Sequence, residues 1–396
     1  MKTKENKAIT LIALVVTIIL LLILAGTSIS MLTGKNGILN RAKEAKEEKE
    51  KSQKEENETI KDYEKMLNKN LSNLPSTEYT KPYLPDINKF ERMEGTGFST
   101  GLVIREKETG SEYVWVEVPK TTDIYKTAGT NLTSFSENEY KLIENDLANY
   151  TGQYKGRAEC SDKYYEDSEK GWFENAEQYN ELKYRMLKSI YENGGFWVGR
   201  YEAGSNVVIT KDAEKDNIPV SKPNMYPYNF VTRTQAKGLA EQVEAGSYTS
   251  SLIFGIQWNL MLKYIETKNI VSKETLNSNS KSIGNYVNNL WTITNENAKY
   301  SINGGASFIN MPCTKKEEGP VFLTTGASEK FSLMNIYDIA GNMWEWTLEY
   351  TGSSGWPCAQ VGGSCFDKGE EFYACFRSCI KLKEFYNNIG FRISIY

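Results

Sequence analysis

Histidine is missing from all 396 positions. With it go Ser-His-Asp and Cys-His nucleophile pairs, His-ligated zinc and the usual proton shuttle near neutral pH, so any catalysis has to run on cysteine, carboxylate, lysine or tyrosine. The six cysteines, at 160, 313, 358, 365, 375 and 379, contain no CxxC pair and no repeated doublet, which excludes a zinc ribbon. In an exported domain they allow up to three disulfides of unassigned connectivity; buried free thiols are the alternative. An excess of either charge is lacking too. Forty-seven basic and 51 acidic side chains leave a net −4, too little field to hold nucleic acid or an anionic lipid surface.

What is present suits a folded chain with room for two or three units, 40% hydrophobic in composition. Its 25 tyrosines and 8 tryptophans favour surfaces that bind, because large amphipathic rings give contact area at low entropic cost.

Lys2, Lys4 and Lys7 precede an uncharged run from Ala8 to Met31. Its apolar part, Ile9 to Ile29, makes a helix about 31 Å long, enough to span a bilayer. The flanking lysines predict a cytoplasmic amino terminus and an exported remainder, hence a single-pass cell-membrane protein with its large domain outside. A signal peptide cut near Ala25 to Ser30 is the alternative. The order KAITLIALVVTIILLLILAG resembles the start of type IV prepilins, which implies a leader of residues 1–8 removed by a prepilin peptidase between Ala8 and Ile9, a helix over 9–31, and a pilin-like filament subunit as one role. Two positions depart from the pattern: Ala8 stands where pilins carry Gly, and Ala13 where they carry Glu. Residues 32–85 read as a charged helical stalk, supported by Glu47–Lys51 and Glu50–Lys54 pairs, ending in a linker at Pro75, Pro82 and Pro85.

From residue 86 to 396 short alternating runs and a few helical stretches give an α+β pattern. A hairpin is expected at Thr100–Ile104 and Tyr113–Val118, helices over Tyr179–Tyr191, Thr234–Val243 and Ile256–Ile265, and a strand at Phe196–Gly204 after the Gly194 stop. Residues 267–325 read as long loops with Trp291 turned inward. The densest stretch is NIYDIAGNMWEW, Asn335 to Trp346: Trp344 and Trp346 share a strand face, and Asp338, Asn342 and Glu345 offer oxygens near a bend at Gly341.

The succession YVWVEVPK (113–120), GGFWVGRYEAG (194–204), the Trp258 helix, NIYDIAGNMWEWT (335–347), GGS (362–364) and IGFR (389–392) resembles formylglycine-generating enzyme and its sulfatase-modifying-factor relatives. That resemblance implies a C-type-lectin-like domain. In the family a C-x4-C pair beyond the GGS motif binds copper and oxidises a substrate cysteine; its positions fall here on Asp367 and Phe372. The cysteines that follow Cys365 are Cys375 and Cys379, spaced C-x3-C, and they are the weak catalytic candidates of an oxidase acting on sulfatase-type peptides. Thiolates suit Cu(I) when two sulfurs converge. The same fold carries the variable proteins of diversity-generating retroelements, diversified between GGS-type and GFR-type motifs. By that resemblance the chain is a degenerate enzyme displayed as a binding module, with Asp367, Glu370, Phe372, Tyr373, Phe376, Tyr386, Asn387 and Asn388 contacting an extracellular protein, glycan or small molecule. Family members also bind calcium at the Asn-x-x-Glu part of the motif, which implies Ca²⁺ on Asn342 and Glu345 with carbonyls of Gly341 and Met343; an ion pair from Glu345 to Arg392 is the alternative.

Overall fold

The computed structural model describes residues 14–24, 43, 45, 46, 48, 49, 51–54 and 74–396, except 155, 157, 158, 213 and 214. The chain divides into two compact units, Met1–Lys69 and Asn70–Tyr396. In the first, residues 14–24 are helical and their leucines, valines and isoleucines are all exposed, Leu22 by 67%. Among the described residues no helix is long and apolar enough to cross a membrane. The rest of the expected 9–31 span, the 1–8 leader and residues 32–42, 44, 47, 50 and 55–73 of the stalk lie outside the described residues.

The second unit is a mixed α+β domain built around two sheets. The first has six strands in the order Phe90–Arg92, Val103–Glu106, Glu112–Glu117, Gly195–Gly199, Ile393–Ile395 and Ser250–Leu252, all neighbours antiparallel. The expected hairpin is there, with Ile104 opposite Tyr113. The second sheet has four strands, Arg377–Ile380, Cys358–Val361, Trp344–Tyr350 and Ile389–Phe391. Its last pair is parallel, and the chain then passes through Arg392 straight into the first sheet.

Among the described residues of this unit the longer helices are α1 (Glu137–Tyr150), α2 (Ala176–Asn193), α3 (Arg233–Glu241) and α4 (Gly255–Thr267), with a short one at Lys273–Asn277. Asn175 caps α2 by accepting from Gln178 N, and Gly194 ends it in the left-handed region at φ 69°. Thr232 and Gln235 form a capping box on α3. The residue ahead of α4 is Phe254, which has no side-chain acceptor, so Asp162 reaches across to take the N–H groups of Gly255 and Ile256, both at 2.8 Å, and sets a carboxylate at the positive helix end. Helix α1 was not anticipated, although Ser136 and Glu139 carry a capping-box spacing and Glu139 accepts from Ser136 N at 2.9 Å.

Two boundaries differ from expectation. Residues 74–85, assigned to the linker, belong to the folded core: Leu74, Tyr83 and Leu84 are buried, Tyr83 stacks on Tyr248 at 3.7 Å, and Trp197 Nε1 donates to Tyr83 O at 2.9 Å. Prolines stop helices, but they do not stop an extended segment from packing. Within the expected loops of 267–325, a three-stranded sheet of Ile309–Asn310, Lys299–Ser301 and Phe322–Leu323 adjoins a satellite core of Trp291, Ile293, Met311, Leu323 and Phe331. Trp291 points inward as expected, donating to Asn285 Oδ1 at 3.1 Å.

Gly341 is where the backbone of this satellite meets the NIYDIAGNMWEW segment. It has φ 71°, and a Cβ there would stand 2.5 Å from Asn285 O. Gly341→Ala is therefore expected to cost about 2 kcal/mol or more through combined strain and clash, read as a lower denaturation midpoint; an unchanged midpoint would mean the two segments separate freely.

Candidate functional site

The polar centre of the domain is formed where the two sheets join. Arg392 lies wholly buried between them. Its Nη2 and Nε donate to the two carboxylate oxygens of Glu345 at 2.6 and 3.0 Å, its Nη1 to Gly199 O and its Nη2 also to Tyr337 O, both at 2.9 Å. Two further buried carboxylates stand around it. Glu202 accepts from Asn342 Nδ2 at 2.7 Å and Met343 N at 3.1 Å, and Asp338 accepts from Gly326 N at 2.9 Å. Burial raises the Asp338 carboxyl to about 7 and holds Glu202 well above the carboxylate range, the neighbouring carboxylates adding to the Glu202 shift.

This arrangement does not fit calcium on Asn342 and Glu345. Both Glu345 oxygens face one guanidinium, and Asn342 Oδ1 already accepts from Asn285 Nδ2 and Leu323 N, each at 3.1 Å. Without those two side chains the carbonyls of Gly341 and Met343 make no ligand set for calcium. Among the described residues no group of three or more Cys, Asp or Glu side chains is arranged to hold a metal ion. The ion pair named as the alternative is the one present.

The copper expectation meets a similar obstacle. Cys375 sits in a turn and Cys379 in the strand Arg377–Ile380. Four residues along a largely extended path place their Cα atoms on the order of 10 Å apart, too far for both sulfurs to grip one Cu(I). Burial pushes the Cys375 thiol up to about 11, away from the thiolate a soft metal needs.

The eight binding candidates fall into two sets. The aromatic ones gather around Trp344, which is itself buried. Phe372 meets it edge-on at 5.7 Å, Phe376 lies 5.1 Å from Phe372, and Tyr373 lies 5.6 Å from Phe376; all three candidates are half-buried. Tyr386 is the open one, 46% exposed. The polar candidates hold loops. Asp367 accepts from Ser364 N at 2.9 Å and Ser364 Oγ at 2.6 Å, with burial raising its carboxyl. Asn388 donates to the same Ser364 Oγ at 3.2 Å, Asn387 donates to Gly304 O at 2.9 Å, and Glu370 accepts from Asn288 at 2.7 and 2.9 Å.

Three residues that sequence reasoning did not single out lie in or next to segments that meet this window. Phe366, inside the window, is 40% exposed, and Ile302, two residues before Gly304, is 69% exposed. Asn229 is buried and donates to Asn387 O at 2.7 Å. The first carried an available signal, an aromatic two residues past the GGS segment. The other two come from distant segments and carried none.

No protein-family model matches the chain, and no curated protein does. Among solved structures, Treponema denticola variable protein 1 is similar at a TM-score of 0.23 and 11% identity, covering 72% of this chain and 84% of that one. A structure titled CarF is similar at a TM-score of 0.21 and 13% identity, covering 72% and 86%. Likeness at that level carries no weight for fold or function, which rest on the geometry above.

Arg392→Met would leave Glu345, Glu202 and Asp338 buried without a cation, at an expected cost of about 3–5 kcal/mol in denaturant unfolding. Calcium added to the unmodified chain should leave its melting temperature unchanged; a rise that Glu345→Gln abolishes would restore the ion. Asp338→Asn tests the raised carboxyl. Because the unfolded chain releases that proton first, native stability drops as pH rises from about 4 to about 7. The variant, whose amide also suits the φ of 56°, should gain on the parent over that window, and parallel pH profiles would show that Asp338 ionises normally.

Proposed function

We propose that this chain is a surface-displayed recognition protein, held to the membrane by its apolar amino-terminal run and binding an external partner through the 365–388 window of a C-type-lectin-like domain. One observation carries the reading: four of the window's polar side chains, Asp367, Glu370, Asn387 and Asn388, fasten its loops to the frame, while its aromatic side chains remain open or half-open. Fastened loops lose little further entropy on binding, and rigid rings in that setting are typical energetic anchors. The candidates that could meet a sugar, Asp367, Asn387, Asn388 and Glu370, are already committed to loop contacts. Phe366, Tyr386 and Ile302 instead offer apolar contact, which favours a protein partner. The apolar run supports the anchor, since eleven consecutive exposed helical residues without a charge are costly to leave in water. The window lies between GGS and IGFR motifs that resemble those bounding the diversified segment of retroelement variable proteins, and its side chains are those an adaptable paratope uses.

The test is a peptide library displayed on phage and panned against the full chain in detergent micelles, beside a glycan array. Selected peptides should be apolar and should bind a Phe366→Ser, Tyr386→Ser double variant about tenfold or more weakly. Because both side chains are exposed, the variant's melting temperature should stay near the parent's. Peptides that bind the variant equally well would place recognition outside the window.

A further inference from the structure

Two Asn-Gly steps lie among the described residues, Asn193-Gly194 and Asn303-Gly304, and their surroundings differ. In such a step the glycine nitrogen can attack the asparagine side-chain carbonyl carbon, since no Cβ on the following residue obstructs the approach. At the first step that attack is blocked. Asn193 is the last residue of α2, Gly194 N donates to Ile190 O at 2.9 Å, and Asn193 O accepts from Lys81 N at 2.7 Å. A Cβ on Gly194 would stand only 2.1 Å from Tyr79 O. Moving this nitrogen means undoing the helix end and the segment packed on it.

Asn303 is in the opposite situation. It is exposed, in the turn that follows the strand Lys299–Ser301, and among the described residues Gly304 N makes no hydrogen bond. Its side-chain oxygen accepts from Ser301 Oγ at 2.7 Å and from Ser307 N at 3.1 Å. Two donors on that oxygen draw electron density from the carbonyl carbon and oppose the negative charge that develops on Oδ1 during attack, as donors do in an oxyanion hole. The nucleophile is unengaged and the electrophile is polarised, with Asn303 Nδ2 donating to Ser307 Oγ at 2.9 Å.

We propose that Asn303 is a site of spontaneous deamidation. Gly304 N loses its proton to solvent base and bonds to the Asn303 side-chain carbon. The bond to Nδ2 breaks, and that nitrogen leaves as ammonia with a proton from solvent. Water then opens the cyclic imide to aspartate or isoaspartate. One water is consumed and one ammonia released, with no redox partner.

The product carries a new negative charge at 303, and in the isoaspartate form one extra backbone carbon. The carbonyl of Gly304, which Asn387 Nδ2 holds at 2.9 Å, is thereby displaced. A Cβ placed on Gly304 lies 3.9 Å from Phe366 Cζ, so charge and displacement arise beside the window's aromatic edge. That consequence rests on the window being the recognition surface; the chemistry does not.

The full chain is held in mildly alkaline buffer, sampled over time, digested and read by mass spectrometry for amide-to-acid conversion and by enzymatic isoaspartate labelling. Conversion at Asn303 should run about tenfold or more faster than at Asn193, a barrier difference of about 1.4 kcal/mol. In urea the two steps should convert at similar rates, which assigns the difference to the fold. Asn303→Gln should remove the signal from the peptide that spans residue 303, the Asn36-Gly37 step being read on its own peptide, and Ser301→Ala should slow conversion by loss of one donor. Equal rates in the native chain, or an unmodified Asn303 while the urea sample converts, would overturn the proposal without touching the recognition reading, which the panning experiment judges separately.

Discussion

The ion pair between Glu345 and Arg392 is what the rest of the domain hangs on. Arg392 is the single residue between a strand of the second sheet and a strand of the first, and its guanidinium ties Glu345 of one sheet to Gly199 O of the other. A cation buried this completely is tolerated because one carboxylate and two carbonyl oxygens accept from it. The carboxyl groups of Glu202 and Asp338 stand close by and reach outward, to Asn342, Met343 and Gly326. The same charge that joins the sheets therefore positions the turn from which the window loops depart.

From that turn the dependence can be followed outward. Asn342 O accepts from Cys365 N at 3.1 Å, Ser364 binds both Asp367 and Asn388, and Asn388 O accepts from Trp344 N at 2.9 Å. The start and the end of the window are thus tied to one another and to the strand behind them. Trp344, with Phe372 and Phe376 against it, fills the space that these hydrogen bonds enclose. A second buried pair, Arg377 with Glu349 at 3.2 Å, fixes the strand that leaves the aromatic cluster.

Elements with a local signature were legible in the sequence. Helix α2 has its Gly194 stop, the Val103–Glu106 hairpin has its charged turn, and Trp344 with Trp346 has the alternation of a strand. The site was legible as a region, because aromatic and polar side chains crowd between residues 365 and 388. Their roles were not. Asp367, Asn387 and Glu370 look like ligand contacts until their loop partners are known, and those partners are remote: Asn387 is held by Asn229, 158 positions away. The extended segment 74–85 was misassigned because proline reports where a helix ends and says nothing of what the following backbone packs against.

By itself the sequence determined which chemistries are open and which local forms the backbone takes. Absent histidine, unpaired cysteine spacing and balanced charge are properties of composition, and caps, glycine stops and alternation act over a few residues. Only the tertiary structure decided what the carboxylates at 338 and 345 do. A Glu near a bend is equally suited to an ion or to an arginine, and the choice depends on Arg392 arriving 47 residues later in a space that excludes water. The physical reason is range: propensity is set by neighbours in the chain, whereas the state of a buried charge is set by whatever the fold brings within hydrogen-bond distance.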